Sequence, residues 1–254
     1  MKEQWRLLQT GFNTAFSNMA IDRAILVANS KGKVPPTVRF YGWIPPAISI
    51  GYFQSLADEV DVSACERLGV DYVRRITGGG AVFHDKELTY SIVIPEAHPA
   101  IPKNILKSYG RICNALIQGL MHLGISSTYA PINDILVNGK KISGNAQTRK
   151  ERTVLQHGTI LLDVDVDTMF SLLKVPDEKI KDKLIQDVKQ RVTSLHHTLK
   201  KKIHFEEVAE ALKFGFEEEF HVELIQGILT KEEKTLATQF EKECFSTTRW
   251  NHRR

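Results

Sequence analysis

The segment Val137-Asn138-Gly139-Lys140 obliges this chain to double back on itself. Asn and Gly tolerate the positive φ angles at both central positions of a type I′ turn, whose twist suits two antiparallel strands. Paired strands are therefore expected over 135–137 and 141–143, with another over 158–162. Upstream, alternating and β-branched runs predict strands over 37–41 and 47–52, on either side of the Pro45-Pro46 break. Further strands are expected over 72–74 and over 88–94, the latter stopped by Pro95.

Helical signals interleave with these strands. Ser17 is a candidate cap for a helix whose apolar stripe runs through Ile21, Ala24, Ile25 and Ala28. Asp61 opens a short helix that Gly69 ends. Residues 103–123 form the longest pattern, with Ile105, Tyr109, Ile112, Leu116 and Leu120 on one face and Gly124 just beyond. Past the strands the pattern turns helical over 168–173, 177–188, 205–220 and 231–244, the last opened by a Thr230/Glu233 capping box. The order predicts an α+β fold, a mixed or antiparallel sheet flanked by helices. Residues 1–200 are read as the main unit and 201–254 as a short helical C-terminal segment of the same unit.

At 254 residues, 42% hydrophobic and 25% charged, the composition is that of a soluble globular protein rather than a disordered tail, a collagen-like rod or a coiled coil. No apolar run approaches the ~18–20 residues of a membrane-spanning helix, and the first residues lack a signal peptide's hydrophobic centre. Cys65, Cys113 and Cys244 are odd in number and share no C-x-x-C spacing, so a reducing cytoplasm is expected. The net charge of +4 is uneven. Residues 174–204 hold nine basic against four acidic side chains, and 205–243 hold four against eleven. The basic stretch is either a solvated helix face or a docking surface for an acidic partner. Without interleaved aromatics it gives no reason to expect nucleic acid.

Two stretches carry chemistry. Arg74-Arg75-Ile76-Thr77-Gly78-Gly79-Gly80-Ala81-Val82-Phe83-His84-Asp85 contains three successive glycines, which cost backbone entropy and contribute no packing. They serve either a sharp turn or a ligand lying against bare N–H groups, with Arg75 as a planar fork for an anion. The spacing fits neither a Walker loop nor a dinucleotide fingerprint. In Asn133-Asp134-Ile135-Leu136-Val137-Asn138-Gly139-Lys140-Lys141-Ile142-Ser143-Gly144-Asn145-Ala146-Gln147, strand alternation puts Ile142 in the core and Lys141 and Ser143 on the other face. Lys141 is then either a solvated charge or an electrophilic clamp on a carbonyl or phosphate oxygen. His157-Gly158-Thr159 opens the next strand, and alone that histidine is as well explained by core hydrogen bonding.

Together the segments RRITGGGAVFHD, NDILVNGKKISGNAQTR and LQHGTILLDVD resemble the lipoate-protein ligase A family, within the biotin and lipoate ligase superfamily. RFYGW, IGYFQ, LTYSIVI, KQRVTSL and TTRWN are similar to further segments of it. The opening FNTAFSNMAID also looks like octanoyltransferases that act on the glycine-cleavage H protein. Two chemistries compete. Ligases use ATP and Mg²⁺ to turn lipoate or octanoate into an acyl-adenylate, then pass the acyl group to a carrier lysine. Octanoyltransferases move octanoate between carriers through a cysteine thioester. Residues 114–243 contain no cysteine, which favours the ligase, alone or with a separate accessory subunit for activation. A non-catalytic adaptor that only binds the adenylate is the remaining alternative.

The resemblance implies a catalytic Lys141. It assigns nucleotide binding to Arg75, Gly78, Gly79, Gly80, Ala81, Val82, Phe83, Asp134, His157 and Thr159. Acyl binding falls to Val73, Lys141, Ile142, Gly144 and Ala146, and metal ligands stay unassigned. The implied partner is a lipoyl carrier domain, of a dehydrogenase subunit, the H protein or a similar carrier, with no nucleic acid and no membrane.

Overall fold

The computed structural model describes residues 2–174 and 181–254. In chain order its elements begin β1 (Glu3–Asn13), α1 (Ala15–Ser30), β2 (Thr37–Trp43), β3 (Ala47–Ile50), α2 (Leu56–Glu59), α3 (Val62–Leu68), β4 (Asp71–Arg74), β5 (Val82–His84), β6 (Glu87–Pro95) and α4 (Ile105–His122). They continue with β7 (Thr128–Ala130), β8 (Asp134–Val137), β9 (Lys140–Lys150), β10 (Thr153–Leu161), α5 (Val166–Leu172), α6 (Lys181–Arg191) and α7 (Leu195–Leu199). The chain closes with α8 (Phe205–Phe220), β11 (Val222–Gln226), α9 (Lys231–Phe240), a π-helical turn (Glu241–Phe245) and α10 (Thr248–Asn251). The start of the helix expected over 177–188 lies partly outside the described residues.

The fold is α+β, as the sequence predicts. An eight-stranded mixed sheet runs in the order β11-β1-β2-β6-β10-β9-β8-β7, and a three-stranded sheet in the order β4-β3-β5. Asn138 (φ 50°) and Gly139 (φ 75°) turn β8 into β9, as expected for a type I′ hairpin. Asp61 caps α3, and Gly69 ends it in the left-handed conformation. The helix read as capped by Ser17 starts earlier, at Thr14, whose hydroxyl accepts from the Ser17 N–H. The C-terminal segment is not wholly helical. Its strand β11 extends the large sheet by pairing parallel to β1.

Both faces of the large sheet are covered. On one, α4 and α8 bury Phe40, Tyr90, Ile92, Ile112, Leu116, Leu212 and Phe216. On the other, α1 and α9 pack against Leu8, Tyr41, Trp43 and Val93. A buried fork joins this layer to the sheet, because Arg6 of β1 donates twice to Glu233 of α9, at 2.8 and 2.5 Å. Burial alone would raise the Glu233 carboxyl, but Arg6 and the Thr230 cap hold it below its ordinary range. A third cluster fills the space between the small sheet and α2, α3 and α5.

Helices α4 and α8 approach so closely that a Cβ on Gly215 would stand 2.2 Å from the Ala115 carbonyl oxygen. That neighbour is backbone and cannot swing away. Gly215→Ala should therefore destabilise the protein by about 1–3 kcal/mol, although alanine is the better helix former. A lower urea midpoint with unchanged slope would show it, and an unchanged midpoint would contradict this packing.

Candidate active site

A single cleft gathers most of the residues singled out by sequence. It encloses about 160 Å³ and opens to solvent. The small sheet and its glycine loop supply Ser49, Arg75, Gly79, Gly80, Ala81, Val82 and His84. The large sheet supplies Tyr41, Trp43, Thr89, Lys141, Gly144, Asn145, Ala146, His157, Gly158 and Thr159, and α1 adds Met19. Gly78, Phe83, Asp134, Val73 and Ile142 are not among the lining residues. Phe83 packs towards the α3 cluster, while Val73 belongs to the α1 layer.

Ile142 is buried in the α4–α8 core because of a β-bulge. Ile135 pairs with Ser143 but Leu136 pairs with Lys141, so Ile142 is the extra residue. The bulge breaks the alternation assumed from sequence, and Ser143 is fully buried beside Ile142 instead of facing the cleft. Bulges re-aim side chains near functional sites, and here the re-aimed side chain is Lys141. Its Nζ lies 2.7 Å from Asp134 Oδ1, in a close ion pair whose approach is off the hydrogen-bond axis. Gly144 leaves the room this lysine needs, since a Cβ there would come within 2.9 Å of Lys141 Cε and Nζ.

Arg75 shapes the glycine loop. Its Nη1 donates to the Ser49 carbonyl and hydroxyl, both at 2.7 Å. Its Nη2 donates to the carbonyls of Gly78 and Gly80, at 3.0 and 2.9 Å. Burial lowers its pKa to about 10, so it remains a cation beneath the loop at neutral pH. With both terminal nitrogens committed, it organises the loop more than it offers a free fork. Neighbouring Arg74 is equally engaged, donating to the carbonyls of Gly51, Tyr52, Gln54, Trp250 and Asn251.

Two imidazole–carboxylate pairs border the cleft. His157 Nδ1 sits 3.4 Å from Asp22 Oδ2 on α1, and its Nε2 lies 2.7 Å from Thr77 Oγ1 in the glycine loop. Asp22 also accepts from Arg39 Nη1 at 2.7 Å, Ser91 Oγ at 2.8 Å and Tyr41 OH at 3.1 Å. Burial would raise the Asp22 carboxyl, but Arg39 and His157 outweigh it and hold the carboxyl below 3.8. Burial also lowers His157 below 6.5 despite Asp22, which keeps the imidazole neutral at pH 7. The Nδ1–H then donates to the carboxylate and Nε2 accepts from Thr77. In the second pair, His84 lies 2.5 Å from Glu87 and 2.6 Å from Ser49 Oγ, stacked on Trp43 with centroids 3.9 Å apart. Sequence reasoning missed Met19, Tyr41, Trp43, Ser49, His84, Thr89, Asn133, Asn145 and Gly158. Most of these stand inside the quoted segments, but only long-range packing shows which of them face the cleft.

Comparison with known proteins fixes the class. Residues 14–217 match the lipoyl protein ligase A/B catalytic domain, and this chain belongs to that family. The octanoyltransferase LipM of Geobacillus kaustophilus is 38% identical, covering 100% of this chain and 99% of its own. That of Bacillus subtilis is 33% identical over the same shares. A bi-partite lipoate protein ligase from Thermoplasma acidophilum superimposes with a TM-score of 0.90 at 31% identity, covering 98% of this chain and 96% of the other.

These relatives correct the reading as an ATP-dependent ligase. Full-length similarity to octanoyltransferases at 33–39% identity outweighs the inference from a missing cysteine. The expected ATP and Mg²⁺ fall with that reading, since an acyl group that arrives as a thioester is already activated. Among the described residues no three His, Cys, Asp or Glu side chains converge as a metal site, and no helix is long and apolar enough to cross a membrane.

The buried pair predicts acid sensitivity. Below pH ~6.5 the unfolded chain protonates its histidine while folded His157 stays neutral, so stability falls as pH drops. Below about 3.9 the unfolded carboxylate protonates while folded Asp22 resists, and further stability is lost. Asp22→Asn leaves Arg39 buried without a counter-charge and should cost about 3–5 kcal/mol at pH 7. Urea midpoints from pH 8 to 3 check both titrations, and the midpoint of the variant at pH 7 checks the substitution. Stability that rises as pH falls from 7 to 5 would refute the assignment.

Proposed function

We propose that this chain is an acyltransferase that moves a medium-chain acyl group, octanoyl, onto a lysine of a lipoyl carrier domain. The observation that carries this reading is Lys141, whose ammonium the bulge brings into a cleft with apolar walls. Met19, Trp43, Ala81, Val82 and Ala146 supply apolar surface for the tail. Each buried CH₂ contributes ~0.8 kcal/mol, so the chain anchors largely through area.

Under this reading the reacting carbonyl lies beside Lys141. Negative charge grows on its oxygen as the carrier's amine attacks, and a fixed ammonium stabilises that charge more than it stabilises the neutral carbonyl. Asp134 holds Lys141 in place between turnovers. The bare amides of Gly79, Gly80 and Ala81 offer further donors at the loop edge. Thr159 lines the same cleft and adds a hydroxyl to it. The reading places the enzyme in a reducing cytoplasm, where its three cysteines remain free thiols.

Incubation with an octanoyl-loaded carrier protein and an apo lipoyl domain should add one octanoyl group to the domain, read by intact mass. Lys141→Ala should lower kcat/KM by about 10²–10³ while leaving the urea midpoint near that of the wild type. No modification of the domain by the wild-type chain would refute the function. Undiminished transfer by the variant would remove Lys141 from it.

A further inference from the structure

The placement of the chain's nucleophiles bears on how the acyl group crosses the cleft. All three cysteines are accounted for, and none lines the cleft. Cys113 is fully buried on α4, with its thiol 4.0 Å from Gln156 Nε2. Gln156 and His157 alternate across β10, so this thiol lies on the sheet face away from the one His157 presents to the cleft. Burial pushes it up to about 12. Cys65 is fully buried on α3 among Ile48, Leu56 and Val60 and is pushed up to about 11, again by burial. Cys244 is half-buried in the π-helical turn, packed with Phe240 and Trp250, and burial raises it despite Arg23 at 3.5 Å. A thiol attacks as its thiolate, and each of these is held in its neutral form outside the cleft.

The hydroxyls within the cleft do not replace them. Among the described residues, Ser49 is the one cleft-lining hydroxyl that contacts an imidazole backed by a carboxylate, while Thr77, which makes the equivalent contact with His157 and Asp22, is fully buried and does not line the cleft. Yet the Ser49 oxygen also accepts from the Arg75 guanidinium at 2.7 Å, and the residue is fully buried on β3. The lone pair needed for attack is tied to a cation. Thr89 donates to Glu87 at 2.8 Å and accepts from Trp43 at 2.7 Å, so its oxygen is engaged on both sides. Thr159 has no base bonded to it, and an unactivated hydroxyl is a weak nucleophile.

Building on the acyl-transfer function above, we propose that this chain transfers its acyl group in one displacement, from a carrier-bound thioester directly to the acceptor amine, with no acyl-enzyme. The neutral lysine amine of the acceptor adds to the thioester carbonyl, whose oxygen takes up the negative charge beside Lys141. Collapse of that adduct breaks the C–S bond and leaves the C–N bond of the amide. The proton shed by the amine balances the one the departing thiolate needs, so the products are an amide and a thiol, with no redox change and no further reactant. Both carriers must occupy the site together. The chain acts as a template that aligns two groups rather than as a temporary holder of one.

Three measurements test this on the full chain. Wild-type protein mixed with octanoyl carrier alone and quenched in acid should show no octanoyl increment by intact mass, whereas an adduct on any residue overturns the proposal. Initial rates at varied concentrations of both carriers should give intersecting reciprocal plots, and parallel plots overturn it. The triple variant Cys65→Ser, Cys113→Ser, Cys244→Ser should keep transfer within about threefold of the wild type. If serine at 113 prevents folding, Cys113→Ala replaces it, and a folded variant without activity overturns the proposal. Absence of any transfer by the wild type refutes the acyltransferase reading itself and this route with it. Transfer accompanied by an adduct refutes the route alone.

Discussion

One buried carboxylate holds this architecture together. Asp22 enters from α1 and takes hydrogen bonds from Arg39 and Tyr41 of β2, Ser91 of β6 and His157 of β10. Three adjacent strands of the large sheet are thereby fixed to one helix. His157 extends the connection to Thr77 and so to the glycine loop of the small sheet. Burying such a charge is tolerable only when its partners nearly fill its coordination, and removing one partner leaves the rest uncompensated. The cleft lies where this network meets the loop, so its geometry is set by the same bonds that seat α1.

Much of the fold was legible in the sequence because its signals are local. The Asn138-Gly139 turn, the Asp61 and Thr230 caps and the limits of α8 all follow from residues within one or two turns of each other. β1 was not legible. Trp5, Arg6, Leu7 and Leu8 are buried in succession, so the strand is covered on both faces and shows no alternation. The fork from Arg6 to Glu233 is equally silent, because its partners are 227 residues apart in sequence.

The site divides in the same way. Lys141, Arg75, the loop glycines and His157 stand out by residue type and neighbourhood, and the cleft brings them together. Ile142 lies in the core as alternation expects, away from the acyl-binding role assigned to it, but Ser143 was misplaced because a single bulged residue shifts the alternation, and nothing local announces the bulge. The functional reading faltered for a different reason. A missing nucleophile was taken to favour the ligase over the transferase, although chain-long similarity to octanoyltransferases weighs more than one residue does. The absence is better read as bearing on the route than on the activity.

Arg74 carries a practical consequence. One guanidinium grips the carbonyls of Gly51, Tyr52 and Gln54 and also those of Trp250 and Asn251, while the Asn251 side chain accepts from the Arg74 amide. The final short helix is thus a keystone set against the strand that leads into the glycine loop. Replacing Arg74 by a shorter side chain would release both ends of that grip at once, loosening the last helix and the approach to the glycine loop together.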